Sequence, residues 1–274
     1  MWVRKKEVEQ LSEFVKGYIS GEELDIRDHR EGIFNILKND IYTLVNKKNE
    51  QIKAIESERD ILSDYMADIS HQLKTPITSM RIMADLLEDA EPEKQAEFIH
   101  NIQISLNKME WLVGALLKMA KLDAHAIHFM KKDIHTSELF EAVKPSVAIL
   151  LDINNQMMQL KHDCVMHCDK LWTVEALTNI IKNAIEYSPK DSVIMVDSGE
   201  NPMYCWISVK DSGMGMDRTA YTTLFKRFEN STNENGFGIG MPLALSIVKG
   251  QGGDIDVDFG SDGKGTNFIL KFFK

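Results

Sequence analysis

The sequence predicts a chain in two parts, a pair of long helices followed by a domain of mixed helices and strands. Apolar residues recur at three-and-four spacing through residues 47–90 and again through 92–129, which is the period of an amphipathic helix. After about residue 134, short runs of alternating apolar and polar residues are typical of strands. A run of helices followed by mixed elements indicates a helical region joined to a separate α+β domain.

The composition of the chain limits its fold and function. Its 274 residues allow roughly two domains of ordinary size, and 43% hydrophobic residues suffice for real cores. A net charge of −10 argues against a sequence-independent nucleic-acid binder, which needs a basic face. Three cysteines make no disulfide framework and favour a reducing compartment. No apolar run reaches the roughly 18 residues of a membrane span.

Residues 5–46 are expected to form two helices separated by the polar segment GEELDIRDHREG. Their apolar stripes are Val8, Leu11, Val15 and Ile19, and Ile33, Leu37, Ile41 and Leu44. The opening MWVRKK is what a membrane helix ending just upstream, on the cytoplasmic side, would leave. An ordinary charged helix start explains it equally well.

The two long stripes predict a helical hairpin. EDAEPEK (88–94) interrupts the pattern, and Pro92 suits the first turn of the second helix. The stripe positions are Met66, Ile69, Leu73, Ile77, Met80, Met83 (or Ala84) and Leu87, then Ile99, Ile102, Leu106, Met109, Val113, Leu116 and Ala120. One hairpin cannot bury stripes of this width, whereas two hairpins form a four-helix bundle, so we expect a homodimer.

The remaining chain is expected to contain five strands and two helices. Strands are predicted at 158–168 and at VIMVDSG, YCWISVKDSG, GGDIDVDFG and TNFILKFF, and helices at 171–188 and 244–251. The first of these strands holds two histidines and two cysteines. Alternation would place His162, Cys164 and Cys168 on one face and His167 on the other, so a zinc site, which needs convergent ligands, is not favoured.

The segment SHQLKTP (70–76) places a histidine on the flank of the first long helix. His71 shares that flank with Thr75, off the apolar stripe, and is expected to be accessible. Pro76 cannot donate to the carbonyl of Gln72, which loosens the helix there. An accessible histidine at such a site can act as a nucleophile, although a lone surface histidine usually has no special role.

Two further segments suggest a site for a nucleotide base and a metal. Glu175, Asn179 and Asn183 are each four residues apart and share a helix face. Asparagine oxygens suit Mg²⁺ that keeps several waters and shares phosphate ligands. DSGMG (211–215) follows a strand, where Asp211 could accept a hydrogen bond from an amino group such as that of adenine.

Glycine turns later in the chain suggest where phosphates would bind. GFGIG (236–240) opens directly onto a helix, whose N-terminal amides can hold phosphate. GKGTNF (263–268) adds a further glycine turn and Thr266. Each glycine motif alone could be a plain tight turn, but their order and spacing together indicate a nucleotide site.

These motifs resemble, in order, those of the cytoplasmic part of a sensor histidine kinase of two-component signalling. SHQLKTP resembles the phospho-acceptor box, NIIKNAIEYS the asparagine box, DSGMG and GFGIG the glycine boxes, and LFKRF the phenylalanine box. The match covers about residues 60–274. More loosely, DHREG and the helix after it resemble the second half of a HAMP-type signal-relay segment.

The resemblance implies three regions and their partners. These are juxtamembrane HAMP-like relay helices (1–46), a dimerisation and phosphotransfer hairpin (47–133) and a Bergerat-type ATP-binding α/β sandwich (134–274). It implies a homodimer at the cytoplasmic face of the membrane, with an upstream anchor outside this chain. Its partners would be ATP, Mg²⁺ and a response-regulator receiver domain, with no nucleic acid.

The resemblance also implies roles for individual residues. The γ-phosphate of ATP would pass to His71 and then to an aspartate of the regulator, and residues 217–235 would form a mobile lid. Catalytic roles are implied for His71, Thr75 (orienting water to dephosphorylate the regulator) and Asp68. Cofactor-binding roles are implied for Asn179, Asn183 (also the metal ligand), Tyr187, Asp211, Gly213, Gly215, Arg227, Gly236, Gly238, Gly240 and Thr266.

Three positions depart from the family pattern. Gln72 replaces an acidic residue, so Asp68, water or another domain would have to supply the base. Glu186 stands where a lysine commonly faces the phosphates. Asn230 replaces an arginine, whose role would fall to Arg227 or Lys226.

Two other functions are compatible with parts of the sequence. An ATPase of the same fold, of the chaperone or mismatch-repair kind, would have a catalytic glutamate where this chain has Asn179. A degenerate kinase could serve as a dimeric scaffold for its partner, but the complete glycine boxes weigh against that.

Overall fold

A computed structural model describes residues 5–19, 33–88, 90–216, 218–228, 237–259 and 265–274. The expectations for residues 1–4, for DHREG, for the lid residues 229–235, for Gly236, for Asn230 and for Gly263 lie outside the described residues. The chain divides into two compact units, Met1–Ala67 and Asp68–Lys274.

The first unit contains helix α1 (Lys5–Ile19) and the first part of α2 (Ile33–Leu87). The helices expected at 33–44 and 47–90 form one helix, because residues 45–51 (VNKKNEQ) contain neither glycine nor proline. The proposed domain boundary at 46/47 therefore falls inside a helix. Within the described ranges, no helix is both long and apolar enough to cross a membrane.

The second unit begins with a helical hairpin, made by the end of α2 and by α3 (Pro92–Asp123). Gln95 closes the connection, because its Nε2 donates to the carbonyls of Leu87 (3.2 Å) and Ala90 (3.0 Å). Helix α3 ends at Asp123 rather than near 129. His125 adopts a left-handed φ of 50°, and the next amide bonds back to Lys121 (3.0 Å), which terminates the helix without the usual glycine.

The α/β domain follows the hairpin. Its helices are α4 (Thr136–Ile153), α5 (Lys170–Tyr187), α6 (Arg218–Leu224) and α7 (Gly240–Gly250). Its strands are β1 (Lys132–His135), β2 (Met157–Leu160), β3 (Val165–Cys168), β4 (Val193–Glu200), β5 (Tyr204–Lys210), β6 (Gly253–Phe259) and β7 (Thr266–Phe273).

The main sheet has the order β2-β4-β5-β7-β6, with β2 and β4 parallel and the other pairs antiparallel. Strands β1 and β3 form a separate antiparallel pair. Alternation along β7 buries Thr266, Phe268, Leu270 and Phe272 on one face of the sheet. The core also includes Leu112, Ala115, Met119 and Leu122, so the C-terminal half of α3 packs on this domain.

The prediction of a single strand at 158–168 is wrong. The chain forms β2, leaves the sheet at 161–164 and returns as β3 in the smaller sheet. In this connection His162 bonds Asp197 (Nδ1 to Oδ1, 2.8 Å). Its ring is exposed, whereas Cys168 is fully buried, so the two do not share a face as expected.

Candidate functional site

The histidine of SHQLKTP lies on the surface of α2. His71, Asp68 and Thr75 are all exposed, and Pro76 is accommodated inside the helix. Thr75 Oγ1 donates to the carbonyl of His71 across a long 3.4 Å, which is a weak hydrogen bond. The imidazole is therefore open to a reaction partner, and the neighbouring hydroxyl is only lightly held.

Asp211 is fixed by the backbone at the end of β5. It is 5% exposed, and its Oδ1 accepts hydrogen bonds from the amides of Gly213 (2.8 Å) and Thr266 (3.0 Å). Its own amide donates to the carbonyl of Thr266 at 3.0 Å. A carboxylate held in this way has one oxygen committed to the protein and a fixed orientation.

Two glycines around Asp211 are required by close backbone contacts. A Cβ on Gly213 would lie 2.5 Å from the carbonyl oxygen of Tyr187. Gly265 has a φ of +73°, and a Cβ there would lie 2.4 Å from the carbonyl oxygen of Asp211. The end of α5, the DSGMG turn, in which Gly215 has a φ of +81°, and the start of β7 thus meet at Asp211.

Helix α5 carries the asparagines. Asn179 and Asn183 are partly buried, and Asn179 Nδ2 donates to the carbonyl of Glu175 at 2.9 Å. Asn179 Oδ1 lies 3.1 Å from where a Cβ of Gly240 would be, so glycine lets α7 begin close against α5. Tyr187, one turn beyond Asn183, is half exposed.

The metal expected here would depend on amide and phosphate oxygens. Among the residues that the structure describes, no group of three or more His, Cys, Asp or Glu side chains could hold a metal ion. The amide oxygen of Asn183 is a hard ligand, and Mg²⁺ binds proteins through few side chains together with waters and substrate phosphates. The residues present fit that mode.

A backbone hydrogen bond joins the glycine loop (GFGIG, 236–240) to the phenylalanine segment (LFKRF, 224–228). Gly238 and Phe228 both have left-handed φ values (65° and 63°), and the amide of Phe228 donates to the carbonyl of Gly238 at 3.1 Å. Gly240 then begins α7, whose first amides have no partner within the helix. This helix start is suited to an anion.

Helix α3 touches both of these segments. Arg227 Nη2 lies 2.8 Å from each carboxylate oxygen of Asp123. The rings of Trp111 and Phe237 stack with their centroids 5.9 Å apart and 15° between their planes. Neither contact could be predicted from spacing, because the partners are more than a hundred residues apart in the chain.

Two carboxylates flank the asparagine face of α5. Glu175 Oε1 pairs with Lys118 Nζ of α3 at 2.7 Å. Glu186 is exposed, and partial desolvation raises the pKa of its carboxyl group.

Thus the structure brings Asp211, Gly213, Thr266 and Tyr187 together at the end of α5. Asn179, earlier on α5, lies beside Gly240 at the start of α7. Arg227 lies against α3, and His71 lies in the hairpin. These placements are consistent with a nucleotide site in the α/β domain and an acceptor outside it.

Two protein-family models match the chain. The His Kinase A (phospho-acceptor) domain matches residues 61–125, and the Histidine kinase-, DNA gyrase B-, and HSP90-like ATPase matches residues 168–274.

Curated relatives match across both regions. The swarming motility regulation sensor protein RssA of Serratia marcescens is 26% identical, covering 84% of this chain and 50% of the relative. Sporulation kinase C of Bacillus subtilis is 28% identical, covering 80% and 51%. The chain therefore spans about half the length of these relatives.

Solved structures share the fold. Histidine kinase AdeS of Acinetobacter baumannii matches with a TM-score of 0.61 and 19% identity, covering 74% of this chain and 97% of that one. Histidine kinase ThkA, in complex with the response regulator protein TrrA, matches with a TM-score of 0.62 and 19% identity, covering 83% and 66%. The predicted fold class, a helical hairpin followed by an α/β domain, is confirmed.

Proposed function

The chain belongs to the histidine kinases, with a phospho-acceptor hairpin followed by an ATPase domain, and on this premise we propose that it phosphorylates itself on His71. The phosphoryl group would come from Mg-ATP and pass on to an aspartate of a response regulator. One observation carries the proposal: an exposed helical histidine and a backbone-held aspartate beside glycine turns occur in the two matched regions of one chain.

The nucleotide would be held by its two ends. Asp211 accepts the amino group of adenine, while Gly213, Gly215 and Thr266 let the backbone approach the ring. The amides of Gly238 and Gly240 face the phosphates, and Arg227 adds positive charge. Gly236, at the start of the same loop, has the same proposed role. Tyr187 borders the base.

Asn183, assisted by Asn179, would hold Mg²⁺. When bound, the ion neutralises charge on the phosphates. In the transfer step, an imidazole nitrogen of His71 forms a bond to the γ-phosphorus as the bond from phosphorus to the ADP oxygen breaks. Asp68 is the proposed acceptor of the imidazole proton, because Gln72 cannot take one, with bulk water as the alternative.

The proposed partner is a response-regulator receiver domain. The ThkA structure contains such a regulator, which supports the proposal for this chain. Thr75 lies one turn from His71 on the same exposed flank, and its hydroxyl could orient water toward the regulator's phospho-aspartate. The chain would then both donate and remove phosphate.

We also propose that the chain works as a homodimer. Ile99, Leu106 and Val113 recur every seven residues on α3 and remain 46%, 52% and 45% exposed, which is the pattern of a helix seam awaiting a partner. The regions 1–46, 47–133 and 134–274 and a location at the cytoplasmic face of the membrane are proposed on the family resemblance alone.

Incubation with γ-labelled ATP and Mg²⁺ tests the function. We expect a label on the protein that is stable in base and labile in acid, absent from His71→Gln and present in His100→Gln, an exposed histidine on α3. The His71 variant should bind ATP normally, because its nucleotide residues are intact. Free phosphate without labelled protein would indicate an ATPase, and neither product would indicate a scaffold.

A further inference from the structure

Helix α3 contacts the phenylalanine segment and the glycine loop, the two segments that are proposed above to bind the phosphates of ATP. Asp123, the last residue of α3, pairs with Arg227, and Trp111 stacks on Phe237 of the glycine loop. We propose that Asp123 competes with nucleotide phosphate for Arg227, so that the docked arrangement is a form with weakened ATP affinity. This inference rests on the proposed function, since it takes Arg227 to be a phosphate ligand.

The competition follows from the chemistry of the guanidinium group. Carboxylate and phosphate oxygens accept from the same kind of donor, so a phosphate that binds Nη2 must take its hydrogens from a carboxylate that already holds them. In this structure Nη2 of Arg227 serves both oxygens of Asp123. The arginine side chain is only 22% exposed, which leaves little room for a phosphate to reach it beside the carboxylate.

The strength of the pair suits a reversible contact. Asp123 is 47% exposed, and partly exposed ion pairs contribute little to stability. A polyphosphate carries more negative charge than one carboxylate and can replace it. The docked arrangement therefore lowers nucleotide affinity without abolishing binding.

The stacking of Trp111 on Phe237 also restrains the segment that carries Arg227. Phe237 stands next to Gly238, and the carbonyl of Gly238 accepts the amide of Phe228, the residue after Arg227. The two contacts from α3 thus restrain one connected segment. By thermodynamic reciprocity, a nucleotide that takes Arg227 must weaken the docking of α3 by the same factor.

Titration calorimetry with Mg²⁺ and a non-hydrolysable ATP analogue tests this inference. Asp123→Asn removes the charge with little change of shape, and we expect binding about two- to fivefold tighter than that of the wild type. Trp111→Leu should tighten binding in the same direction. Glu97→Gln, which removes a charge from an exposed position of the same helix, should leave the affinity unchanged.

The double variant separates competition from a general loosening of the fold. Arg227→Gln should weaken binding, and Asp123→Asn added to it should have no further effect. Unchanged or weaker binding by Asp123→Asn, or the same tightening with and without Arg227, would overturn the competition. Failure of the wild-type chain to bind the analogue at all would overturn the proposed function itself, and this inference with it.

Discussion

The carboxylate of Asp211 is buried and held by the backbone, so replacing it by an amide tests the proposed contact with adenine. In Asp211→Asn, the amide oxygen must remain toward the N–H groups of Gly213 and Thr266, which already hold Oδ1. The amide NH₂ would then face the adenine amino group, donor against donor. Losing a hydrogen bond to a charged group costs about 1.5–3 kcal/mol, so we expect ATP binding about tenfold to a hundredfold weaker.

A fluorescent ATP analogue measures that affinity, and the melting temperature shows whether the variant is folded. Asp197→Asn, which alters an aspartate of β4 outside the proposed site, is the matched control. Wild-type affinity in Asp211→Asn would remove Asp211 as the adenine contact.

Thr75 permits a second test at the same scale. Its hydroxyl makes only a 3.4 Å contact with the His71 carbonyl, so valine should fit without disturbing the helix. We expect Thr75→Val to slow dephosphorylation of the regulator severalfold and to leave phosphorylation of His71 nearly unchanged. Thr78→Val, on the same exposed flank, serves as the control.

Both rates and the melting temperature should be measured on the Thr75 variant. If the two activities and the melting temperature fell together, Thr75 would be stabilising the helix before Pro76, and its role with water would be excluded.

At the scale of the element, the start of α4 depends on one aspartate from a neighbouring connection. Asp163 accepts the Ser137 amide (2.8 Å), the Ser137 hydroxyl (3.1 Å) and His135 Nδ1 (3.0 Å). Desolvation raises the pKa of this carboxyl group, but these hydrogen bonds outweigh it and hold the pKa below its ordinary value. Asp163 thus caps a helix from outside that helix.

This cap predicts a pH dependence of stability. A folded pKa below the unfolded value of about 3.9 stabilises the fold above that pH, and the contribution disappears as the pH falls through the folded pKa. At pH 7 we expect Asp163→Asn to lose about 1 kcal/mol in the free energy of unfolding, because hydrogen bonds to a charged acceptor contribute about that much more than hydrogen bonds to a neutral one. In denaturant titrations the difference from the wild type should be full near neutral pH and shrink as the pH falls below about 4.

Asp152→Asn, near the other end of α4, is the control and should not reproduce the loss. A difference that stayed constant with pH would show that Asp163 does not act through its charge.

Helices and strands with strong local periodicity could be predicted from the sequence, whereas others could not. Long periodic helices and the strand TNFILKFF were predicted because their signals are local. Helix α4 was not predicted, since it contains Pro145, which ordinarily argues against a helix interior. The partners of Arg227 and Phe237 could not be predicted, because contacts across about a hundred residues leave no mark in spacing.

At the scale of the whole molecule, the exposed seam of α3 predicts how the chain associates. Leu106→Glu would place a charge in the proposed interface, and we expect sedimentation to show a monomer where the wild type is a dimer. Leu106→Glu should bind the ATP analogue with unchanged affinity, because the residues proposed to bind the nucleotide lie in the α/β domain. Gln103→Glu adds the same charge at an exposed polar position and should leave the dimer intact.

A Leu106→Glu chain that remained dimeric would move the interface elsewhere. A wild-type chain that sedimented as a monomer at every concentration would remove the dimer proposal.

Strand β6, at one edge of the main sheet, affects how readily the protein aggregates. Strand β6 forms one edge of that sheet, and Asp254, Asp256 and Asp258 occupy every second position along it. A strand from another molecule that paired there would bring its side chains against these carboxylates, which disfavours edge-to-edge addition of a second sheet. Open-ended polymerisation through this edge is thereby discouraged. Replacing the three aspartates by threonine should make concentrated protein prone to form fibrils.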